Sequence, residues 1–202
     1  MRFTGVHVKG LVAAAAVCGV LVLVSTSVAG SPQSALIRGR AEIKGEGITG
    51  TADFREVAAG SAGATDPRYP VGTVAVEIVL KVRGLAPGVH GVHVHEVGTC
   101  EPTFAAAGGH FDPGPHGMSD PDANHPYHMG DLPNLIVNDL GEGHFTTRTT
   151  RFTLAPGPLS VFDDDGSALI VHAGPDQGVT GEPKSGVAGG ARVACGVITK
   201  VQ

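Results

Sequence analysis

Val74, Val76, Ile78, Leu80 and Val82 alternate with Ala75, Glu77, Val79 and Lys81. A period of two with β-branched residues on one face is the pattern of a strand that buries one side. This run constrains the chain most, because the sequence after its first 29 residues shows no helical pattern longer than a turn or two. The 31 Gly and 14 Pro spread over 202 residues work in the same direction. They exclude a coiled coil or a helical repeat array, while 42% hydrophobic residues suffice for a packed core. The pattern predicts an antiparallel, turn-rich β domain of sandwich or barrel type.

Further strands are expected over 41–54, His90–His95, 135–137, 145–154, 168–171 and 192–201. Loops separate them. The segment 58–72 is a loop by composition, and 98–133 and 174–190 are long loops dense in Gly and Pro. Loops of that length inside one domain are usually functional.

The first 29 residues read as an export signal. Arg2 and Lys9 precede or border an apolar run from Leu11 to Val24, and Ser27-Val28-Ala29 offers a cleavage site before Gly30. That run of 14 residues is short against the ~20 a membrane span needs, which favours a cleaved signal over an anchor. The mature domain is then 30–202, without a membrane span. Its 12 basic residues (14 less Arg2 and Lys9) face 19 acidic ones, a formal −7, which argues against a nucleic-acid partner. Two cysteines remain, Cys100 and Cys195; in an oxidising compartment such a pair is most simply a disulfide. The destination is periplasmic, cell-surface or secreted, and a homodimer is left open.

Ten histidines are the most informative entry in the composition, and nine lie from His90 to His172. His93 and His95 stand at i and i+2 of a strand, hence on one face. His110, His116, His128 and Asp131 lie in the first long loop, with His128 and Asp131 three residues apart. Three imidazoles and a carboxylate match the ligand set of tetrahedral zinc. His172 emerges at the end of a buried apolar strand. Taken singly, each group also reads as surface or loop histidines.

Taken together they carry a resemblance. Gly91-Val92-His93-Val94-His95-Glu96, Gly109-His110-Phe111, His128-Met129-Gly130-Asp131-Leu132, Ile170-Val171-His172 and Gly190-Ala191-Arg192-Val193-Ala194-Cys195-Gly196 follow in order over about residues 34–202. In that order they resemble copper/zinc superoxide dismutase. The resemblance implies an all-β, Ig-like Greek-key sandwich or barrel with two long functional loops, in which superoxide becomes dioxygen and hydrogen peroxide. It implies copper on His93, His95, His110 and His172, and zinc on His110, His116, His128 and Asp131. His110 would bridge the two ions and relay a proton, and Arg192 would attract the superoxide anion. Asp176 would orient a ligand imidazole on each metal, and Cys100 would pair with Cys195.

The chain departs from the family's familiar members in the zinc loop. His110 to His116 spans six residues and His116 to His128 spans twelve, where those members have a longer first gap and a shorter second one. His125, in Asn124-His125-Pro126-Tyr127-His128, is the rival of His116. The preference for His116 rests on its following Gly117, which resembles the family pair, and on the backbone restriction that Pro126 places on His125. Val187-Ala188 stands where the family has Gly-Asn. His90 is expected to be a hydrogen-bonded structural histidine, His144 a surface one, Lys184 a solvated loop lysine, and Asp163-Asp164-Asp165-Gly166 a turn. The functional rival is a dismutase-like module that binds or buffers copper without turnover.

Overall fold

The computed structural model describes residue 1 and residues 37–58, 74–114, 120–123, 125–126 and 128–201. The rest of the expected signal, most of the 58–72 loop and His116 lie outside these residues. Among the described residues, regular structure consists of ten strands and one short 3-10 turn at Phe104–Ala107. The strands are β1 (Arg38–Gly45), β2 (Ile48–Ala58), β3 (Val74–Arg83), β4 (Gly88–His90) and β5 (Val92–His95). They continue with β6 (Leu135–Val137), β7 (Glu142–Thr149), β8 (Ala168–His172), β9 (Arg192–Val197) and β10 (Thr199–Val201). No helix among the described residues is long and apolar enough to cross a membrane.

All ten belong to one antiparallel sheet, ordered β4-β6-β7-β3-β2-β1-β9-β8-β5, with β10 beside β1. The two ends of that order, β4 and β5, are separated in the chain by Gly91 alone. The ends of the sheet therefore meet, and the sheet curls into a barrel. The passage from β3 to β4 skips over β6 and β7, a Greek-key connection. Gly91 breaks the strand expected over His90–His95: its N–H donates to Gly174 O at 2.8 Å, and its carbonyl accepts from His172 at 2.9 Å. The last strand breaks too, at Ile198, whose N–H turns to Ser167 O at 2.9 Å.

Alternation sets the core. Ala41 and Ile43 of β1, Phe54 of β2, and Ile78 and Leu80 of β3 point inward and are buried with Leu135, Leu169 and Val171. Burial of such side chains supplies the main stabilisation, ~1.5–3 kcal/mol for each large one. β7 starts at Glu142, earlier than the apolar pattern indicated, because Glu142 to Thr149 pairs along Arg83 to Val76.

Glu77 lies on the outward face of β3 yet is only 5% exposed. Its cross-strand neighbours are Arg55 on β2 and Arg148 on β7. Arg55 Nε donates to Glu77 Oε1 at 2.7 Å and Arg148 Nη2 to Oε2 at 2.7 Å. Burial opposes the charge, but these two guanidiniums hold the carboxyl below its usual range. Glu77→Ala is expected to lower the unfolding free energy by ~2 kcal/mol. Glu42→Ala, which removes a solvent-exposed pair with Arg40, should change it by well under ~1 kcal/mol. Urea unfolding of both variants checks this, and equal shifts would defeat the ladder's claimed importance.

The cysteine pair forms a disulfide, Cys100–Cys195, closing 95 residues of sequence separation. Loop closure of that length is worth ~4–5 kcal/mol in the chain-entropy model. The bond ties the start of the first long loop to β9, next to Arg192.

Candidate metal centre

β5 is buried on both faces. Val92 and Val94 enter the core, so the period of two sends His93 and His95 to the opposite side, beneath the first long loop. β5 pairs β8 along one edge. Along the other edge the loop itself continues the pairing: Phe111 N–H donates to Val94 O at 2.9 Å, and Val94 N–H donates to Gly130 O at 2.9 Å. A Cβ on Gly130 would sit 2.2 Å from Val94 O, so this docking requires glycine. The same docking sets His110 opposite His95 and Asp131 opposite His93. His172 ends β8 where a register shift after Val171 brings it opposite Arg192, re-aiming its side chain toward the other imidazoles.

His93, His95, His110 and His172 are all buried, and each can contribute a nitrogen to a group in which all donors lie within 4.8 Å of one another. In each ring one nitrogen is committed. His93 Nε2 donates to Asp176 Oδ2 at 2.8 Å, His95 Nδ1 to Gly108 O at 3.1 Å, and His172 Nδ1 to Gly190 O at 3.0 Å. His110 Nδ1 lies 2.7 Å from Asp131 Oδ1. The remaining nitrogens, His93 Nδ1 and Nε2 of His95, His110 and His172, are buried with no hydrogen-bond partner. Four converging lone pairs without partners are costly unless a cation takes them. Burial, with repulsion from His110, pushes His93 down to about 3. Burial pushes His172 down to about 4 despite its bond to Gly190, and lowers His95 and His110 as well. All four imidazoles are therefore neutral at physiological pH and able to ligate.

On the far side of His110, Asp131 gathers three imidazoles: His110, His125 at 3.2 Å and His128 at 3.2 Å. Its burial would raise its pKa, but these partners hold it far below the carboxylate range. His125 also donates from Nε2 to Asp176 Oδ1 at 2.6 Å. Burial opposes charge on His125, yet the nearby carboxylates of Asp131 and Asp176 push it up to about 9. His93, His110, His125 and Asp131 form a second group whose donor atoms lie within 4.8 Å of one another. Asp176 thus spans from one group to the other, and Asn134 holds it by a two-point grip on its backbone, at 2.8 and 2.9 Å.

Arg192 is half-buried and reaches across to the first loop, donating to Phe104 O at 2.7 Å and to Gly108 O. Gly108 O is also the acceptor for His95, so one carbonyl orients both the cation and a histidine of the first group. Gly108 sits at φ 73, and a Cβ there would lie 2.6 Å from Glu96. His90 is a buried structural histidine bonded to His172 O and Ala86 O at 2.7 and 2.8 Å, while His144 and Lys184 are exposed.

Sequence reasoning missed three supports. Arg151 donates to the carbonyls of Pro126, His128 and Asp131, Asn134 holds Asp176, and the Asp122 carboxylate binds the second loop. Each acts through backbone groups brought together by folding, so no local motif marks it.

A Greek-key β-barrel whose strands and loops bring together two groups of buried donors, sharing His93 and His110, has the donor sets of a dinuclear metalloprotein. Residues 48–198 match the family model described as copper/zinc superoxide dismutase. The chain belongs to that family. It is 40% identical to the superoxide dismutase [Cu-Zn] 2 of Aquifex aeolicus over 61% of this chain and 71% of that one. It is 35% identical to the superoxide dismutase [Cu-Zn] of Deinococcus radiodurans over 76% and 79%. Among solved structures, a double mutant of a SOD-like protein from Bacillus subtilis matches with a TM-score of 0.58 and 29% identity, covering 78% of this chain and 95% of that one.

Proposed function

We propose that this protein disproportionates superoxide, two superoxide anions and two protons giving dioxygen and hydrogen peroxide. Copper would be held by His93, His95, His110 and His172, and zinc by His110, His128, Asp131 and a fourth donor. The observation that carries this reading is the four partnerless buried nitrogens of His93, His95, His110 and His172, beside a second donor group that holds Asp131 and shares His93 and His110 with the first. Bound copper supplies a one-electron couple that zinc, having no redox chemistry, does not.

The chain's own residues do the rest. Arg192 cannot lose its charge near neutrality and offers the anion a cation in a chain of formal charge −5. His110 Nε2 can carry a proton when not coordinated and pass it to reduced oxygen, while Nδ1 stays toward Asp131. Asp176 and the carbonyls of Gly108 and Gly190 keep the imidazoles in the ligating tautomer. A copper-buffering module needs neither a shared histidine nor a cation over the copper group, and both features favour the enzyme.

The Cys100–Cys195 disulfide fits an oxidising, extracytoplasmic location. We assign residues 1–29 as the export signal that takes the chain there, to the periplasm, cell surface or medium.

The mature chain loaded with both ions should contain about one copper and one zinc per chain and should speed superoxide loss in a pulse-radiolysis assay. Zinc alone, or both metals without turnover, would overturn the enzymatic reading.

A further inference from the structure

We propose that His125, and not His116, is the fourth donor of the zinc group. The assignment rests on the two-metal reading above and deepens it. His125 is fully buried, and its Nδ1 lies 3.2 Å from Asp131 Oδ2 with no hydrogen bond of its own. Its Nε2 donates to Asp176 at 2.6 Å. This is the division of labour seen in His93, one nitrogen oriented by Asp176 and the other left as a lone pair facing a cluster of donors. The rings of His110, His125 and His128 stand at similar separations, with centroids 5.8, 6.0 and 5.1 Å apart, and Asp131 contacts all three. Three imidazoles gathered on one carboxylate supply the donor types and number of tetrahedral zinc.

Hydrogen bonds to the second long loop also hold the segment of His125. Its carbonyl accepts from Thr180 Oγ1 at 2.6 Å. Three residues earlier, Asp122 is buried, and its carboxylate accepts the N–H groups of Gly186 and Ala188 at 2.8 and 3.0 Å. Asp122 O accepts a third, from Gly181, at 2.9 Å. The segment is thus fastened to the same loop that carries Asp176, and the imidazole lies between Asp131 and Asp176. The competing role for His125 is an imidazolium that simply bridges those two carboxylates.

Cobalt(II), a spectroscopic stand-in for zinc, separates the roles. The metal-stripped mature protein titrated with cobalt(II) should develop the visible bands of tetrahedral cobalt. His116→Ala should keep these bands at wild-type affinity, whereas His125→Ala should weaken binding by about 100-fold or more. A ligand swap provides a gain of signal that does not depend on stability. His125→Cys should add a near-ultraviolet thiolate-to-cobalt charge-transfer band, and His116→Cys should not. A charge-transfer band from His116→Cys, its absence from His125→Cys, or wild-type cobalt affinity in His125→Ala would each overturn the assignment. A wild-type protein without tetrahedral cobalt bands would instead overturn the two-metal reading, and this inference with it.

Discussion

Replacing Arg192 with Ala is expected to lower kcat/KM for superoxide by about 10- to 100-fold while copper and zinc content stay unchanged. Copper/zinc superoxide dismutases are themselves the standing example of electrostatic steering, so this range is that of the class and not a value read from this chain. The structural part of the argument is local. The chain is acidic, with formal charge −5, so an anion is repelled on average unless a fixed cation stands at the copper group. Arg192 is held by the carbonyls of Phe104 and Gly108, and it is close enough to His95 and His172 to add to the lowering that burial chiefly imposes on both imidazoles. Arg192→Lys keeps the charge but loses the planar two-carbonyl grip, so it should retain part of the rate. The wild-type rate should fall with added salt more steeply than the Arg192→Ala rate. Pulse radiolysis across ionic strength reads both effects, and equal rates for wild type and Arg192→Ala would remove the residue from the mechanism.

Asp176→Ala is expected to weaken binding at both metal groups by about 10- to 100-fold, measured by chelator competition with copper(II) and zinc(II) separately. One carboxylate accepts from His93, which belongs to both donor groups, at 2.8 Å and from His125 of the second group at 2.6 Å. Burial would raise its pKa, yet these partners, led by His125, hold it well below the usual carboxylate range. Its loss leaves two buried N–H groups unpaired, a penalty of ~1–3 kcal/mol each, and frees both rings to turn. Asn134→Ala, which releases only the backbone of Asp176, should give a smaller loss of the same kind. A loss confined to one metal would show that Asp176 does not couple the two groups.

The parts of this architecture that were legible beforehand are those with local periodicity. The alternation from Val74 to Val82 identifies β3 as a half-buried strand, and the same period places His93 and His95 on one face. The Gly91 break was not legible. It becomes necessary only because one extended segment must serve both ends of a closing sheet. Glu77 reads as an outward, solvated residue, and its burial depends on Arg55 and Arg148 arriving from two other strands.

The site divides in the same way. Residue types and order along the chain were sufficient to recognise the family, to gather His93, His95, His110, His128, Asp131 and His172 as candidates, and to expect Cys100 to pair with Cys195. Only the folded chain decided which nitrogen of each ring is committed and which is left with a free lone pair. The acceptors that decide it, such as Gly108 O, Gly190 O and Asp176, lie 13, 18 and 83 residues from the rings they orient. His125 makes the point most sharply. The proline beside it and the Gly117 that follows His116 argued for His116, because local sequence does not report which distant loop a segment docks against. Asp122 and Thr180 fasten its segment to a loop more than 50 residues away, and that long-range docking brings its imidazole to Asp131 and Asp176.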